Sequence, residues 1–226
     1  MGKDLEILYE DNHIIVVVKP FNILSQADNT KDCDMLTIIK QYLKEKYNKP
    51  GNVYLGLVHR LDRPTGGIMV FAKTSKAAKR LSEDIKNDKF HKEYLAIVHG
   101  ILKEKEGTLE NYLLRDDNKK TIVTTKEKGK IAILSYKVLE SKNNLTLVKI
   151  NLKTGRHHQI RVQFSNINHP LYGDQKYGIK DNKQLALYAY KLSFTNPVTK
   201  KNLTFIKYPK KVGIWKEFNM EGENNE

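Results

Sequence analysis

Short apolar runs separated by polar turns recur along the chain and predict β-strands. The clearest runs lie at residues 13–18, 68–72, 93–100, 132–139, 145–152, 185–192 and 203–206. Ser141 to Asn144 separate two of these runs, a pattern that is typical of a β-hairpin. Strands are therefore expected to be the main elements of the fold.

Three stretches have the apolar spacing of helices. Asp34 can cap the first helix, and Thr74 or Ser75 can cap the second, which we expect to reach about Asp88. Residues 156–166 predict the third helix. Lysines occupy the outer face of the second helix, where they can either contact phosphates or form a solvated surface, and both interpretations stay open.

The middle of the chain is less regular. Residues 101–130 are rich in lysine, and we expect a hairpin-like insertion with short strands at 113–115 and 121–125. No repeat and no linker divides the sequence, so we expect a single domain over residues 1–216. The acidic segment at 217–226 contains no lysine or arginine and predicts a disordered tail.

The composition is that of a soluble globular protein. Of the 226 residues, 39% are apolar and 29% are charged. No window approaches the roughly 18 apolar residues of a membrane span, and the N-terminus has no apolar signal-peptide core. Cys33 is the single cysteine, which excludes an intrachain disulfide and a cysteine-based zinc site. We therefore expect a cytoplasmic protein.

The net charge indicates the class of partner. The chain carries a formal charge of +14, which favours a polyanion, most simply nucleic acid. A lysine-rich surface that is merely solvated is the alternative. Only six of the 40 basic residues are arginine, and four of these six fall within residues 60–63 and 156–161. Because the planar guanidinium makes paired hydrogen bonds, these two stretches are expected to make specific contacts.

The first arginine-bearing stretch is GLVHRLDRPTGG, residues 56–67. Asp62 lies here on a loop between two apolar runs. A lone carboxylate flanked by arginines in such a setting is a candidate for chemistry. The alternative is a turn aspartate that hydrogen-bonds to its own backbone beside proline and glycine.

The second stretch predicts a partner for that carboxylate. Helical spacing places Arg161 on one face with His157, Ile160 and Phe164. That face should point inward, where an unpaired guanidinium is costly, so Arg161 needs a carboxylate. Asp62 is the carboxylate we expect, and the pairing would keep it ionised as a nucleophile or base. The alternative is a buried ion pair without chemistry.

Five motifs together resemble the RluA-type family of RNA pseudouridine synthases. The resemblance covers roughly residues 7–208. It rests on KP at 19–20, HRLDRPTGG at 59–67, KEYLAIVHG at 92–100, TGRHHQIR at 154–161 and NHPLYGDQKYG at 168–178. It implies an α+β fold with a large, mostly antiparallel mixed sheet and helices around a central cleft. It also implies a compact form that lacks the N-terminal RNA-binding domain of many members.

The resemblance assigns three catalytic residues. Asp62 matches the essential aspartate, which attacks or assists at C1′ of the target uridine. Tyr94 matches the tyrosine that stacks on the base and is a candidate base for the ribose C2′ proton. Arg161 matches the arginine that pairs with the catalytic aspartate.

The resemblance also implies an RNA partner, either ribosomal or transfer RNA. Arg60 matches an arginine that can enter the space left by the flipped nucleotide, and we expect Arg63 and Arg156 to contact RNA as well. Lys19 and Pro20 match a motif to which we assign a structural role. We expect a monomer without an obligatory protein partner.

Two positions depart from the family pattern. Gly66-Gly67 stands where Ser-Gly is usual, and Gln163 stands where His is common. Neither position carries a chemical role. Because the reaction involves no redox step, we expect no cofactor. We expect no metal site either, since His157 and His158 should diverge on a helix.

Two other functions remain to be distinguished. A non-catalytic RNA-binding protein would explain the positive charge. A glycosidase-like hydrolase would also cleave a sugar C–N bond, but most such enzymes use two carboxylates. Glu93 is the acidic neighbour of Tyr94, and strand alternation places it on the opposite face.

Overall fold

The computed structural model describes residues 5–118 and 120–220. Its helices are α1 (Met35–Lys46), α2 (Ser75–Lys86) and α3 (Gln159–Asn166), and a short 3-10 helix covers Gly213–Glu217. The strands are β1 (Ile7–Glu10), β2 (Ile14–Lys19), β3 (Gly56–Leu57), β4 (Gly66–Ala72), β5 (Phe90–His99), β6 (Glu106–Arg115), β7 (Thr121–Thr124), β8 (Lys130–Lys142), β9 (Leu145–Leu152), β10 (Leu187–Thr195) and β11 (Asn202–Ile206). The eleven strands form a large sheet, which with the helices confirms the predicted α+β class.

The chain divides into two compact units. The first contains the chain up to His91 together with Ala189–Lys207, and the second contains Lys92–Tyr188 and the chain from Tyr208. Strands β5 and β10 each contribute residues to both units. The single domain expected over residues 1–216 stays a prediction.

In the first unit the strand order is β1-β2-β4-β10, with β3 added to β4 and β11 added to β10. The apolar strand β2 is buried along its whole length and pairs antiparallel with β4, from Ile14 opposite Ala72 to Lys19 opposite Gly67. Helix α2 packs on this sheet through Ala77 and other apolar side chains. Each fully buried aliphatic side chain contributes about 1.5–3 kcal/mol, so this core holds the ends of β2 and β4 in place.

The predicted helix caps are confirmed in this unit. The Asp34 carboxylate accepts a hydrogen bond from the Thr37 N–H at 3.1 Å and caps α1. The Thr74 hydroxyl accepts one from the Ala77 N–H at 3.2 Å and caps α2. In both cases a short polar side chain satisfies an N–H that has no partner within the helix.

In the second unit the strand order is β5-β9-β8-β6-β7, and each neighbouring pair is antiparallel. The predicted hairpin is β8–β9. It turns at Asn143 and Asn144, both with φ near +50°, which is the conformation of a two-residue type I′ turn. The predicted insertion contains β6 and β7, and β6 begins earlier than the sequence indicates.

Strand β5 is buried on both faces, so the burial of its residues does not alternate. Residues from Tyr94 to Val98 are all buried. Period-two reasoning assumes one solvated face, whereas this strand is covered on both.

Helix α3 begins later than predicted. His158 precedes it with φ of 52°, so the helix starts at Gln159 and His157 lies outside it. The six residues Gln159–Phe164 are all buried, so the helix has no solvated face over this stretch. The predicted face shared by His157 and Arg161 is therefore wrong, although Arg161 is buried as expected.

The described part of the acidic tail does not match the predicted disorder from residue 217. Phe218 and Met220 are buried, and the Lys142 ammonium lies 4.9 Å from the Phe218 ring centroid. The sequence pattern did not detect these contacts because the few apolar residues are spaced between acidic ones. Residues 221–226 lie outside the described residues. Across the described chain, no helix is long and apolar enough to cross a membrane.

Candidate active site

Asp62 lies on a short loop whose backbone is held by buried side chains. The Asp62 carbonyl accepts a hydrogen bond from the Thr65 N–H at 3.0 Å, which closes a turn. Just before it, the buried Ser25 hydroxyl donates to the Leu61 carbonyl at 2.7 Å and accepts from the Leu61 N–H at 3.1 Å. One side chain thus fixes both polar groups of the residue that precedes Asp62.

Lys19 holds the other side of the loop. Its ammonium donates to the Arg63 carbonyl at 3.1 Å and to the Pro20 carbonyl at 3.0 Å. The residue is 0% exposed, although it is a lysine. Asp62 is therefore flanked on each side by a backbone group bound to a buried polar side chain.

The charge of Lys19 is coupled to Asp62. Burial lowers the pKa of Lys19 to about 7, the nearby Asp62 carboxylate raises it, and the Arg63 guanidinium lowers it. Burial dominates because the interior solvates an ammonium poorly. The charge of Asp62 therefore acts on the protonation of Lys19.

The loop ends at Gly67, a position at which the backbone requires glycine. Its φ is +127°, and a Cβ there would lie 2.3 Å from the Ala189 carbonyl oxygen. Only glycine fits such a conformation and such a close backbone. His59 supports the same region, since its Nε2 accepts a hydrogen bond from the Val70 N–H at 3.1 Å.

The two arginines next to Asp62 are exposed. Arg63 makes an ion pair with Asp32 at 2.7 Å, and both side chains are about half exposed. An exposed pair of this kind is worth at most about 1 kcal/mol. It is therefore a contact that another anion can replace.

In the second unit, Arg161 has a carboxylate partner that the sequence reasoning missed. Its Nε donates to Asp174 Oδ2 at 2.8 Å and its Nη2 donates to Asp174 Oδ1 at 2.7 Å. Arg161 is 6% exposed and Asp174 is 0% exposed. The inference that a buried Arg161 needs a carboxylate was right, but it does not single out Asp62, because Asp174 meets that need.

Asp174 also holds its own loop. Its Oδ1 accepts hydrogen bonds from the Lys176 N–H at 2.9 Å and the Tyr177 N–H at 3.0 Å. Burial alone would raise the pKa of Asp174, but the hydrogen bonds and charge of Arg161 and these N–H donors lower it below its ordinary value. The carboxylate therefore stays ionised and fixes one edge of the guanidinium.

Tyr177 lies against the same guanidinium, with its ring centroid 5.2 Å from the Arg161 Cζ. Its hydroxyl accepts from the Thr121 N–H at 3.0 Å and lies 2.8 Å from His158 Nδ1. Burial lowers the pKa of His158 to about 2, with further lowering by Arg161 and other nearby cations. The Nδ1 of the neutral His158 ring can accept a hydrogen bond from the Tyr177 hydroxyl, which holds the Tyr177 ring against Arg161.

His157 and His158 do not diverge as predicted. Their rings stack with centroids 3.7 Å apart, and His157 Nδ1 lies 2.7 Å from the Thr121 hydroxyl oxygen. The left-handed backbone of His158 brings the rings together, which a helix would not. Within residues 5–118 and 120–220, no group of three or more His, Cys, Asp or Glu side chains is placed to hold a metal ion.

Tyr94 lies in the second unit on β5, opposite Ile150 of β9, and its side chain is buried. Lys92 lies two residues earlier on the same face of the strand, and burial lowers its pKa. Its Nζ is 3.5 Å from the position that a Cβ on Gly155 would occupy. The structure thus places Tyr94 and Arg161 in the second unit, and Asp62 in the first.

The turn before α3 is held by glutamine side chains. Gln159 Oε1 accepts from the Thr154 hydroxyl at 2.8 Å and from the Arg156 N–H at 3.0 Å. Arg156 is exposed, and its Nε donates to the Ile131 carbonyl at 2.9 Å. The Gln163 Nε2 faces three acceptors on β6 and β8, which explains how glutamine serves at a position where histidine is common.

Sequence reasoning missed the supporting residues Ser25, Asp174 and Tyr177. Asp174 and Tyr177 lie in the motif at 168–178, which contributed to the resemblance without an assigned role. The available signal was a carboxylate in a tight turn shortly after a buried arginine. Ser25 lies in a polar loop and had no such signal.

The known proteins that this chain resembles indicate its family. The model of the RNA pseudouridylate synthase family matches residues 13–166. Ribosomal large subunit pseudouridine synthase D of Haemophilus influenzae is 36% identical over 216 residues, which cover 86% of this chain and 64% of that protein. Ribosomal large subunit pseudouridine synthase C of Buchnera aphidicola is 34% identical over 209 residues, covering 87% of this chain and 64% of that protein.

The chain therefore spans less than two thirds, 64%, of the length of each of these curated relatives. A solved structure, human RNA pseudouridylate synthase domain containing 4, superimposes with a TM-score of 0.76 at 23% identity and covers 91% of this chain and 89% of that one. At that identity the match supports the fold. The family model and the sequence relatives confirm the resemblance seen in the five motifs, and this chain belongs to the RNA pseudouridylate synthase family.

Proposed function

We propose that this chain is an RNA pseudouridine synthase, an isomerase that converts uridine to pseudouridine with Asp62 as the catalytic carboxylate. The observation that carries the proposal is the loop itself. Ser25 and Lys19 are buried polar side chains that bind the backbone on both sides of Asp62. A turn aspartate that only hydrogen-bonds to its own backbone does not need this support.

The reaction is an isomerisation. The N1–C1′ glycosidic bond of uridine breaks, the uracil rotates, and a C5–C1′ bond forms in its place. The C5 proton is released and N1 takes up a proton, so no external group is consumed. Asp62 attacks or assists at C1′, and a fixed loop keeps its carboxylate in the geometry that this step requires.

Tyr94 is proposed to act on the base and ribose. Its position on a strand buried on both faces gives a rigid ring, which suits stacking on a flipped uracil. The phenolic oxygen is the proposed base that takes the ribose C2′ proton as the N1–C1′ bond breaks and returns it to C2′ as the C5–C1′ bond forms. Flipping costs a few kcal/mol, which stacking and pocket contacts offset.

Arg161 is proposed to pair with Asp62. Asp174 binds its Nε–Nη2 edge and Tyr177 lies against its plane, so the orientation of the guanidinium is set within the second unit. A guanidinium fixed in this way needs little reorganisation when charge develops at the reacting centre.

Arg60, Arg63 and Arg156 are proposed to contact RNA. All three are exposed. The weak ion pair between Arg63 and Asp32 can give way to a phosphate. Contacts of this type position the RNA without reading its sequence.

Large-subunit ribosomal RNA is the substrate that we propose first, because the relatives are named for it. Transfer RNA is the second candidate. We also propose that the protein acts as a monomer in the cytoplasm, with neither an obligatory protein partner nor a cofactor.

Pseudouridine mapping tests this function and identifies the substrate. Total RNA from cells with and without the gene is mapped, and the deletion strain is complemented with wild type, Asp62→Asn or Asp32→Asn. We expect particular positions to lose pseudouridine on deletion and to regain it with wild type and Asp32→Asn, but not with Asp62→Asn. If no position changes on deletion, a non-catalytic RNA-binding role is favoured. If Asp62→Asn restores the positions, the proposed mechanism is wrong.

A further inference from the structure

Two aromatic side chains of the first unit are exposed to solvent. Within residues 5–118 and 120–220, Tyr47 and Tyr54 are the only exposed aromatic side chains, at 44% and 49%. They lie on either side of the short segment that joins α1 to β3. A single exposed apolar residue needs no explanation, but exposed rings among cations are typical of surfaces that bind unpaired nucleotides.

The Tyr47 ring is surrounded by ammonium groups. The Nζ atoms of Lys73, Lys46 and Lys49 lie 4.8, 5.4 and 5.6 Å from its centroid. The Tyr47 hydroxyl donates to Glu10 Oε1 at 2.7 Å, which fixes the ring. Lys73 is buried and bound to Glu10 at 2.6 Å, whereas Lys46 and Lys49 are exposed. Because Glu10 supplies one negative charge to three positive ones, this group of side chains keeps a positive charge beside an exposed ring.

Tyr54 borders the same part of the first unit from β3. Gly56 pairs with Ala72, the last residue of β4. A Cβ on Gly56 would lie 2.9 Å from the Tyr54 hydroxyl oxygen and 3.0 Å from a side chain of α2. Lys73, whose ammonium contacts the Tyr47 ring, directly follows Ala72. The two rings therefore border the junction of β4 and α2, one at the Lys73 ammonium and the other at β3.

Helix α2 extends the positive charge from this junction. Lys76 and Lys79 lie near its start, and both side chains are exposed. The sequence leaves open whether the lysines of this helix contact phosphates or are merely solvated. The adjoining tyrosines favour phosphate contact, because lysines that follow an RNA backbone and rings that accept its bases are used together.

We propose that these side chains bind unpaired nucleotides of the RNA substrate, with bases stacked on Tyr47 and Tyr54 and phosphates bound by lysines. Strand β3 leads from Tyr54 to the Asp62 loop, so the surface suits nucleotides that flank the target uridine. The inference rests on the proposed function, since it describes how that RNA is held. The tyrosine–lysine surface consists of Lys46, Tyr47, Lys49, Tyr54, Lys76 and Lys79.

Stacking distinguishes the tyrosine–lysine surface from one that only attracts phosphates. Every base has a π-face, so a tyrosine accepts any unpaired base, whereas the bases of a duplex are already stacked on their neighbours. The hydrogen bond to Glu10 keeps the Tyr47 ring ordered before RNA binds, which lowers the entropic cost of binding. Affinity should therefore depend on the rings for single strands and not for duplexes.

The first experiment measures RNA affinity by fluorescence anisotropy. The probes are a labelled single-stranded oligouridylate of about ten nucleotides, a length that such surfaces cover, and an RNA duplex of the same length. We expect Tyr54→Ala to bind the single strand about 5- to 150-fold more weakly than wild type. Tyr54→Phe keeps the ring and should bind as wild type does. Neither variant should change the affinity for the duplex.

The lysines are tested with a matched pair of variants. Lys49→Gln should reduce the slope of log K against log salt by about 0.7 on the single strand, because one phosphate contact is lost. Lys137→Gln removes an exposed lysine of β8, outside the tyrosine–lysine surface, and should leave the slope unchanged. Equal slopes for the two variants would show that Lys49 does not contact the RNA backbone.

Two results of the binding experiment would overturn the inference. Equal losses of affinity for single strand and duplex in Tyr54→Ala would show that bases do not stack on the ring. Unchanged affinity of Tyr54→Ala for the single strand would also overturn it, whatever the lysine variants do.

A second experiment uses the wild-type protein, so it does not depend on the folding of any variant. The oligouridylate is made with 5-iodouridine, which under ultraviolet light forms a covalent bond to an aromatic side chain stacked on it, with loss of hydrogen iodide. Mass spectrometry of the digested complex should locate crosslinks at Tyr47 and Tyr54. Crosslinks confined to other residues would contradict the inference.

Activity separates this inference from the proposed function. Tyr54→Ala should raise KM for large-subunit ribosomal RNA more than it lowers kcat, because the surface binds substrate and transition state alike. If wild type releases no tritium from uridine C5 of any tested RNA but is crosslinked at Tyr47 and Tyr54, the proposed function is wrong and the binding surface is supported. If wild type is active and neither tyrosine is crosslinked, the inference alone is wrong.

Discussion

At the scale of single residues, the structure separates two needs of Arg161. Its burial requires a carboxylate for stability, and Asp174 is that carboxylate. Its proposed role as the partner of Asp62 requires a guanidinium with a fixed orientation, and Asp174 with Tyr177 fixes the orientation of the guanidinium within the second unit. Sequence alone predicted the burial, because Ile160 and Phe164 flank Arg161 at helical spacing. It could not choose the partner, because a loop carboxylate has no periodic signal.

Replacement of Asp174 should therefore destabilise the fold. Asp174→Asn breaks the buried ion pair with Arg161, which costs about 3–5 kcal/mol in free energy of unfolding. Urea denaturation at neutral pH measures this loss. Asp32→Asn removes the exposed pair with Arg63 and should cost less than about 1 kcal/mol. Equal, small losses in the two variants would contradict the buried pair.

At the scale of elements, some boundaries could be predicted and others could not. The starts of α1 and α2 follow from Asp34 and Thr74, since capping is a local property. The start of α3 does not follow from a local capping residue. The left-handed backbone of His158 depends on its contact with Tyr177 and on the stack with His157. Elements that are buried on both faces carry no amphipathic signal.

Glu10 joins three elements through a hydrogen-bond network that the sequence pattern did not predict. At the end of β1 it accepts hydrogen bonds from Tyr42 and Lys46 of α1, from Tyr47, and from Lys73 after β4. Burial alone would raise the pKa of Glu10, but these partners lower it to about 2. The network fastens α1 to the edge of the first unit's sheet.

This network predicts a loss of stability in acid. Because the folded pKa of Glu10 lies below its ordinary value of 4.5, its contribution is complete above 4.5 and disappears as the pH falls toward 2. We expect the loss to be about 2–3 kcal/mol in free energy of unfolding. Glu10→Gln should lack that part of the acid dependence, measured by urea denaturation between these pH values, and the exposed Glu45→Gln should retain it. An identical acid dependence in Glu10→Gln would exclude the network as its source.

At the scale of the whole molecule, charge and motif order could be read from sequence, and the division into two units could not. The charge of +14 predicts the polyanionic partner, and the five motifs predict the family that the comparisons confirm. The chain passes between the two units at three points, of which two lie inside strands: within β5, near the start of β10, and between Lys207 and Tyr208. A boundary inside a strand leaves no composition shift.

RNA affinity should depend on salt and on the pair Arg63–Asp32. Arg63→Ala removes the proposed phosphate contact, so it should weaken binding and reduce the slope of log K against log salt by about 0.7–0.9. Asp32→Ala removes the competing anion and should tighten binding. Filter binding or fluorescence anisotropy over a range of salt concentrations measures both. If the two variants weaken binding alike, Arg63 acts through the pair and not on RNA.

The central claim is that a carboxylate on a fixed loop performs the isomerisation. The most direct measurement is single-turnover release of tritium from uridine C5 by wild type and Asp62→Asn at equal, saturating RNA occupancy. We predict that Asp62→Asn binds the RNA with unchanged affinity and releases no tritium. Release by Asp62→Asn at a rate comparable to that of wild type would contradict the account.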